Sequence, residues 1–390
     1  MLKEISEILS DKKFRESLFS IETPAYIYHL EILEFILKKL EADMKSMNNL
    51  KLYYAVKANS NTEIIQFLHS FIDGVDVASI YEYKLAKEIF DDKEISITGP
   101  SFTKFEIEKF YNNNKIFDFN SISQLKGCKD IVFNKTIGIR INIPYNYKNN
   151  DIESRFGISL TNSNFFEILD NLNTQLVRVH LHSGEKNRNY FKHLRNQLNI
   201  LKKRGLLSNI QEVNLGGGLL DLILKDNMPW LIKEIKEIQR DFFEDKKINF
   251  IIEPGGGLIH LCGILITKVI SADYYEDINN IVVDTSSYNL NHWFKPKLLT
   301  HTSNNHSRVK TNIYGTTCYE GDYFSLERIT KKLSMKDKLL FYPVGAYSKS
   351  NHTKLHGFSF PKEYYFSKTN IYEGDEVASY ISTANERFGE

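Results

Sequence analysis

The sequence predicts a (β/α)₈ barrel followed by a β domain, and two observations lead to this prediction. Between about residues 25 and 263, eight apolar, strand-like runs alternate with amphipathic stretches. From residue 264 onward, short strand-like runs are separated by Gly and Asn turns. Such alternation indicates a parallel sheet, and the first region has the roughly 250 residues that a barrel of this type needs. We therefore expect a barrel over 25–263 and a β domain, of sandwich or barrel-like form, built from 1–24 and 264–390.

The barrel strands are predicted where β-rich apolar runs end in polar or turn residues. In chain order they are Leu52–Val56, Gly74–Val77, Ile95–Thr98, Ile116–Phe119, Ile137–Ile141, Val177–Leu181, Glu212–Leu215 and Asn249–Ile252. Apolar residues at helical spacing predict helices in Asn61–Ser70, Ile80–Phe90 and Phe191–Leu201. Ligand-binding groups of such barrels lie at the carboxyl ends of the strands. The residues found there are Lys57, Asp76, His182, Gly216–Gly218 and Glu253.

The β domain is predicted from strand-like runs that lack helical periods. These runs are Ile264–Ile270, Asn280–Val283, Val309–Tyr314, Lys338–Tyr342 and Glu376–Tyr380. Ahead of the barrel, Ile5–Phe19 has a helical pattern and Thr23–Tyr28 has strand character. We expect this N-terminal segment to pack against the β domain rather than to belong to the barrel.

Composition favours a compact enzyme that acts on small molecules. The 390 residues are 42% hydrophobic, and 50 basic against 49 acidic residues leave a net charge of +1, so no global field attracts nucleic acid or a membrane surface. Cys128, Cys262 and Cys318 have no paired or metal-like spacing, which indicates a reducing cytoplasm and no metal. The N-terminus lacks the apolar core of a secretory signal, and the apolar segment Leu258–Ile270 is too short and too interrupted to span a bilayer.

Lys57 is the first candidate for chemistry. It follows the apolar run Tyr53–Val56 and precedes the polar residues of a predicted loop. A lysine half-buried at a strand end loses hydration, which lowers its pKa and frees its amine to attack a carbonyl. The alternative is an ordinary surface lysine whose stem lies on apolar residues.

Two glycine runs and a glutamate give Lys57 a chemical context. The run Gly216, Gly217 and Gly218 follows one predicted strand, and Gly255, Gly256 and Gly257 follow the next, directly after Glu253. Either run could be a tight turn, but two on neighbouring strand ends let backbone N–H groups approach a phosphate. Glu253 could cap a helix, or it could keep a pyridine nitrogen protonated, as pyridoxal phosphate requires.

His180 and His182 lie on the same side of a predicted strand. They could bind a metal, although no third ligand has comparable spacing. The other functional role is an imidazole stacked on an aromatic cofactor ring, and His182 is the better candidate because it is closer to the strand end.

The β domain carries a second group of candidates. Cys318 could be a buried small hydrophobe, or a thiol that donates a proton near neutral pH. Glu320 and Asp322 follow closely and could bind an amino group. Tyr347, after Gly345 and Ala346, could complete a phosphate site. These roles require the β domain of this or a second subunit to cover the barrel mouth.

Together these motifs resemble the fold-type III pyridoxal-phosphate decarboxylases, which include the diaminopimelate, ornithine and carboxynorspermidine decarboxylases. The resemblance runs from about residue 23 to 378, in the family's motif order. Its motifs are Tyr54–Asn59, Gly74–Ser79, Thr98–Pro100, Arg140–Asn142, Arg155–Gly157, His180–His182, Gly216–Gly218, Glu253–Gly255, Cys318 with Gly321–Asp322, and Gly345–Tyr347.

The resemblance implies a barrel of the alanine-racemase type and pyridoxal 5'-phosphate as cofactor. Lys57 would carry the cofactor covalently, His182 would stack on its ring, and Glu253 would pair with the ring nitrogen. The glycine runs and Tyr347 would hold the phosphate, and Asp76 would belong to the cofactor site. Cys318 would help to protonate Cα after CO₂ leaves. The resemblance also implies a homodimer in which Cys318 and Asp322 reach the partner's active site.

Four departures from the family pattern affect the predicted substrate. Gly256 replaces the usual arginine, Glu185 a serine, Tyr319 an acidic residue after the cysteine, and Lys295 the arginine of an Arg-Pro pair. Lys295, Tyr319, Glu320 and Asp322 are therefore the substrate-binding candidates. We expect an α-decarboxylase for diaminopimelate, ornithine, lysine, or a carboxylated polyamine or siderophore precursor. An amino-acid racemase and an inactive cofactor-binding paralogue are the alternatives.

Overall fold

The computed structural model describes residues 1–113, 115–147, 150–244, 246–290, 293 and 295–374. The described strands are β1 (Ala25–His29), β2 (Leu50–Ala55), β3 (Gly74–Val77), β4 (Ile95–Ile97), β5 (Asp118–Phe119), β6 (Thr136–Arg140), β7 (Tyr145–Tyr147), β8 (Asn150–Ile152), β9 (Gln175–His180), β10 (Glu212–Asn214), β11 (Asn249–Ile252), β12 (Gly263–Tyr275), β13 (Ile278–Val283), β14 (Lys297–His301), β15 (Arg308–Tyr314), β16 (Tyr323–Lys331), β17 (Lys338–Tyr342), β18 (Lys362–Ser367) and β19 (Asn370–Glu373). The described α-helices are α1 (Leu2–Ser10), α2 (Lys12–Ser20), α3 (Leu30–Met44), α4 (Thr62–His69), α5 (Ile80–Lys87), α6 (Lys104–Asn112), α7 (Ile122–Gly127), α8 (Lys129–Val132), α9 (Ser163–Leu172), α10 (Arg188–Lys203), α11 (Leu220–Leu224), α12 (Met228–Phe243) and α13 (Gly256–Ile259).

The chain forms two compact units. One comprises residues 38–57 and 64–257, and the other comprises 1–37, 58–63 and 258–390. The sequence predicts two domains, a barrel over 25–263 and a β domain over the remaining residues. That these domains fold independently stays a prediction. In the part of the chain that the structure covers, no helix has the length and apolar character needed to cross a membrane.

The first unit contains the predicted barrel. Its eight strands pair in parallel in the order β4-β3-β2-β11-β10-β9-β6-β5. A parallel bridge between Thr98, just after β4, and Asp118 of β5 connects the two ends of that order. All eight strands correspond to predicted ones, with ends displaced by at most two residues. The carboxyl ends of β2, β3, β9, β10 and β11 therefore meet on one face.

The second unit is built on a mixed nine-stranded sheet. Its main path is β16-β15-β13-β12-β1-β18-β19, and β17 joins β12 to β14. The long strand β12 pairs with β1 and β17 along its first half and with β13 along its second half, on either side of a register shift at Val269/Ser271. A barrel followed by a β domain is the fold class that the sequence predicts, and it is confirmed.

Two details of the prediction need correction, and a third is untested. β1 falls inside the predicted barrel range but pairs with β12 and β18, as its strand character next to the N-terminal helices suggested. The single helix predicted over Ile5–Phe19 is two helices, because the Asp11 carboxylate caps α2 by accepting from the Phe14 N–H at 2.7 Å. The predicted strand Glu376–Tyr380 lies outside the described residues.

Candidate active site

Lys57 and Asp76 form an ion pair at the carboxyl ends of neighbouring strands. Lys57 lies in a 3₁₀ turn, Val56–Ala58, directly after β2, and Ala55 is in register with Asp76 of β3. The Lys57 Nζ is 3.5 Å from Asp76 Oδ2; the lysine side chain is 42% exposed and the aspartate side chain 2%. The other oxygen, Asp76 Oδ1, accepts no hydrogen bond from the described residues. The lysine side chain is therefore partly exposed to solvent and is held by a buried carboxylate. The lowered pKa that we expect for Lys57 stays a prediction.

Glu253 is fixed in the buried interior of the barrel. Its side chain is 1% exposed, and its Oε1 accepts a short hydrogen bond from the Asn214 amide. Its Oε2 is 3.5 Å from His180 Nε2. Burial, the largest cause, and the nearby Asp76 raise the pKa of Glu253, while His180, Lys57 and Asn214 act in the opposite direction. This carboxyl group would gain from a cation placed beside it.

His180 connects Glu253 to a second buried charge network. Its Nδ1 is 3.1 Å from Thr98 Oγ1, which donates to Asp118 Oδ2 at 3.0 Å. Asp118 Oδ1 accepts from Arg178 Nε at 2.6 Å. Although burial raises the pKa of Asp118, Arg178 and His180 bring it below its usual range. His180 thus lies between the Glu253 carboxyl group and the Asp118–Arg178 pair, although its Nε2 makes no hydrogen bond with the described residues.

His182 presents a neutral, fixed imidazole on the loop after β9. The Gly217 N–H donates to its Nδ1 at 3.0 Å, so that nitrogen is the acceptor. Burial, followed by the positive charges of Lys186, Lys57 and Arg140, lowers the pKa of His182 well below its usual value. The arrangement suits a flat ring that stacks rather than one that carries charge.

Gly216 and Gly218 are required as glycines by their backbone conformation and by close neighbours. Their φ angles are +69° and +79°, in the left-handed region. A Cβ on Gly216 would lie 2.7 Å from His182 Nδ1, and one on Gly218 would lie 1.7 Å from the Gly184 carbonyl oxygen. The second run packs on the helix that follows the first, because a Cβ on Gly257 would lie 2.7 Å from Ile223 Cδ1 of α11. The two glycine runs predicted to act together are therefore neighbours.

Lys186 is a basic residue of this site that the sequence did not reveal. It is 3% exposed, its N–H donates to the Gly218 carbonyl at 2.9 Å, and its Nζ donates to the Gly217 carbonyl. Burial lowers the pKa of Lys186 to about 7. The flanking sequence, Glu185 and Asn187–Arg188, is polar and gives no sign that this side chain is buried.

Cys318 lies on an exposed loop of the second unit, next to Tyr319 and Glu320. Asp322, 1% exposed, holds this loop through four hydrogen bonds. Its Oδ1 accepts from the N–H and hydroxyl of Ser287, both at 2.7 Å, and its Oδ2 accepts from the N–H and hydroxyl of Thr317, at 3.0 and 2.7 Å. The Cys318 N–H donates to His356 Nε2 at 3.3 Å. Asp322 thus shapes the loop, and its predicted contact with substrate stays a prediction.

Lys295 and Tyr347 also lie in the second unit. The Lys295 Nζ is 5.1 Å from the centre of the Tyr323 ring. The Tyr347 N–H donates at 2.7 Å to the carbonyl of Ala58, the residue that follows Lys57 in sequence. The Trp293 and Tyr347 rings meet edge to face, with centroids 4.8 Å apart. The turn that carries Tyr347 is thereby tied to the segment after the candidate lysine.

The fold and the strand-end lysine, carboxylates and glycines define the class of barrel that binds a phosphorylated cofactor, and comparison with known proteins identifies the family. Residues 33–259 match the family model described as "Pyridoxal-dependent decarboxylase, pyridoxal binding domain". The chain belongs to this family, so the predicted recognition and enzyme class are confirmed.

Named relatives agree with the family. The chain is 25% identical to a diaminopimelate decarboxylase of Aquifex aeolicus, over 83% of this chain and 82% of that protein. It is 24% identical to a carboxynorspermidine/carboxyspermidine decarboxylase of Campylobacter jejuni, over 87% and 92%. The solved diaminopimelate decarboxylase of M. jannaschii, in complex with L-lysine, has the same fold with a TM-score of 0.77, at 22% identity over 92% of this chain and 90% of that one. The arginine decarboxylase of Paramecium bursaria Chlorella virus also has a TM-score of 0.77, at 20% identity over 94% and 100%.

The residues of the barrel unit fit the cofactor that the family name implies. Asp76 Oδ1 is buried without a donor, Glu253 is a buried carboxyl group short of a cation, and Lys186 is a buried cation beside the glycine runs. A phosphorylated pyridine ring carries complementary groups, a ring nitrogen that can be protonated and an anionic phosphate.

Proposed function

We propose that this protein decarboxylates an amino acid that carries a second amine or another cationic group. The relatives and solved structures above act, by their names, on diaminopimelate, carboxynorspermidine or carboxyspermidine, and arginine. Diaminopimelate, ornithine, lysine, carboxylated polyamines and amine-bearing siderophore precursors are the candidate substrates. The observation that carries the proposal is the Lys57–Asp76 pair beside the buried Glu253, within the matched pyridoxal-binding region.

Each cofactor-binding residue has a role that its surroundings support. Bound pyridoxal phosphate supplies an electron sink for the negative charge left when the α-carboxylate departs. In our proposal Lys57 attaches the cofactor, and Asp76 keeps the lysine in place. Glu253, oriented by Asn214 and His180, faces the ring nitrogen, and His182 lies against the ring as a neutral imidazole. The glycine runs and Tyr347 hold the phosphate.

The substrate-facing residues come from the second unit. Cys318 delivers the proton to Cα, since a thiol exposed on a loop can meet a bound substrate. Glu320 and Tyr319 receive the distal amine, while Lys295 receives a distal carboxylate where the substrate has one. We further propose a homodimer in which the loop of one subunit completes the site of the other. Mixing the variants Lys57→Ala and Cys318→Ala should then give more activity than either variant alone, because the mixed dimer keeps one complete site.

The proposal is tested by cofactor attachment and turnover. Purified protein with pyridoxal 5'-phosphate should show the absorbance band of lysine-bound cofactor, and borohydride should fix the label on Lys57. A screen of diamino acids and carboxylated polyamines should then yield products lighter by CO₂. Absence of the band contradicts the proposal. Inverted substrate without CO₂ release would indicate a racemase, and bound cofactor without turnover of any compound would indicate an inactive paralogue.

A further inference from the structure

Unlike the buried Lys115 and Arg178, Lys186 has no carboxylate partner among the described residues. Lys115, also buried, is 2.7 Å from Asp92 Oδ1. Around Lys186, no carboxylate oxygen of the described residues lies within 4.0 Å of the Nζ. Its hydrogen-bond acceptor is the Gly217 carbonyl, and the Tyr190 ring centre is 4.2 Å away. An ammonium group has three donors, so this buried charge is only partly satisfied by the protein.

The surroundings of Lys186 indicate which kind of ligand would complete the hydrogen bonds of its ammonium group. Its side chain bonds to the first glycine run and its backbone N–H bonds to the same run at Gly218. The second run lies against α11, where a Cβ on Gly257 would be 3.6 Å from the Leu220 nitrogen. Neither run contains a basic residue, since Gly255–Gly257 and Gly216–Gly218 are glycines throughout. Lys186 therefore places a buried basic group directly against a glycine-rich backbone of the kind that binds anions.

We propose that Lys186 binds the phosphate of the cofactor and supplies the positive charge of the phosphate site. This inference rests on the proposed function, and it assigns the charge to a residue outside the glycine runs. The burial that lowers the pKa of the free amine to about 7 would be offset by the phosphate charge, so cofactor binding would favour the ammonium form. Glu185, Glu253 and Arg140 are the other charged groups that act on it.

The test compares two ligands that differ only in the phosphate. Dissociation constants for pyridoxal 5'-phosphate and for pyridoxal are measured by fluorescence on the apoprotein of wild type, Lys186→Met and Lys186→Gln. Both variants should bind pyridoxal 5'-phosphate about 10- to 100-fold more weakly, the range for losing one hydrogen bond to a charged group, and should bind pyridoxal as wild type does. If the Met variant does not fold, the Gln variant, which can still donate to Gly217, decides the question.

Lys225→Met is the matched control, because it removes an exposed lysine that pairs with Asp221 on the neighbouring helix at 2.8 Å. It should leave both affinities unchanged. Equal weakening for the two ligands would assign Lys186 a structural role and overturn the proposal, as would unchanged affinity for both. If wild type itself does not prefer the phosphorylated ligand, the proposed function fails instead.

Discussion

The side chains proposed to bind the cofactor in the barrel and those of the Cys318 loop are held in place in different ways. In the barrel, Asp76, Glu253 and Asn214 are almost entirely buried, and the Asn214 amide holds Glu253 through a hydrogen bond. In the second unit, Cys318, Tyr319 and Glu320 are exposed, and a single buried carboxylate, Asp322, holds their loop. A side chain of the exposed loop can therefore change with little effect on folding, whereas a change in the barrel network disturbs its neighbours. The buried barrel network suits the binding of one cofactor, and the exposed loop suits a substrate that can vary.

Removal of the Lys57 amine should have the largest effect and would test the barrel side of the comparison. Lys57→Ala should lower the decarboxylation rate on the order of 10⁴-fold or more, as loss of a covalent catalyst does. Borohydride treatment should leave no cofactor on the protein, as mass spectrometry would detect. Retention of the label on another lysine would show that the attachment site is wrongly assigned.

Cys318→Ala tests two expectations about the loop: that it contributes to the reaction, and that it makes no contribution to cofactor binding. We expect turnover to fall by about 10²-fold, in the range for loss of a general acid, while the dissociation constant of pyridoxal 5'-phosphate stays the same. Cys128→Ala, which changes a buried cysteine of the barrel unit, is the control and should keep its turnover. Loss of cofactor affinity in the Cys318 variant would remove the distinction between the two regions.

Asp322→Asn tests the single clamp of the loop. An amide nitrogen in place of one oxygen faces donors at Ser287 or Thr317, so about 1–3 kcal/mol of stability should be lost. We expect KM to rise and the thermal midpoint to fall, with cofactor affinity unchanged. A variant with normal stability and a raised KM would instead indicate direct contact with the substrate.

Glu253→Gln should change stability less than Asp322→Asn does. It should also stabilise the protein, whereas Asp322→Asn should destabilise it. The folded-state pKa of Glu253 is raised, so the folded protein binds more protons than the unfolded chain above the unfolded pKa, and stability is lost as pH rises through the folded pKa. Glutamine removes this loss, so urea unfolding of the apoprotein should show a smaller decline in stability toward higher pH. Turnover should nevertheless fall. A steeper decline in the variant would contradict the assigned burial cost.

The sequence predicted the barrel well because its strands are short and mostly buried, as in β3, where all four residues are buried. It missed strands of the second unit such as β16, where the exposed Glu327 and Lys331 and the half-buried Arg328 interrupt the apolar pattern. The positions of the strand-end residues were predictable because, in a parallel barrel, every residue that directly follows a strand lies on the same face. Lys186 was not, because its burial is created by Tyr190 and the Gly217 loop, which only the folded barrel brings to it.

The pairing of β1 determines when the second sheet can be completed during synthesis. β1 precedes the barrel in sequence, yet its parallel partner β18 begins at Lys362 and its antiparallel partner β12 at Gly263. At about 5–20 residues per second, a ribosome needs on the order of half a minute to produce the rest of the chain. The edge of β1 that pairs with β12 lacks its partner until the complete barrel sequence has been translated, and the edge that pairs with β18 lacks its partner for longer. β1 therefore completes its pairing only after the strands of the barrel have been made.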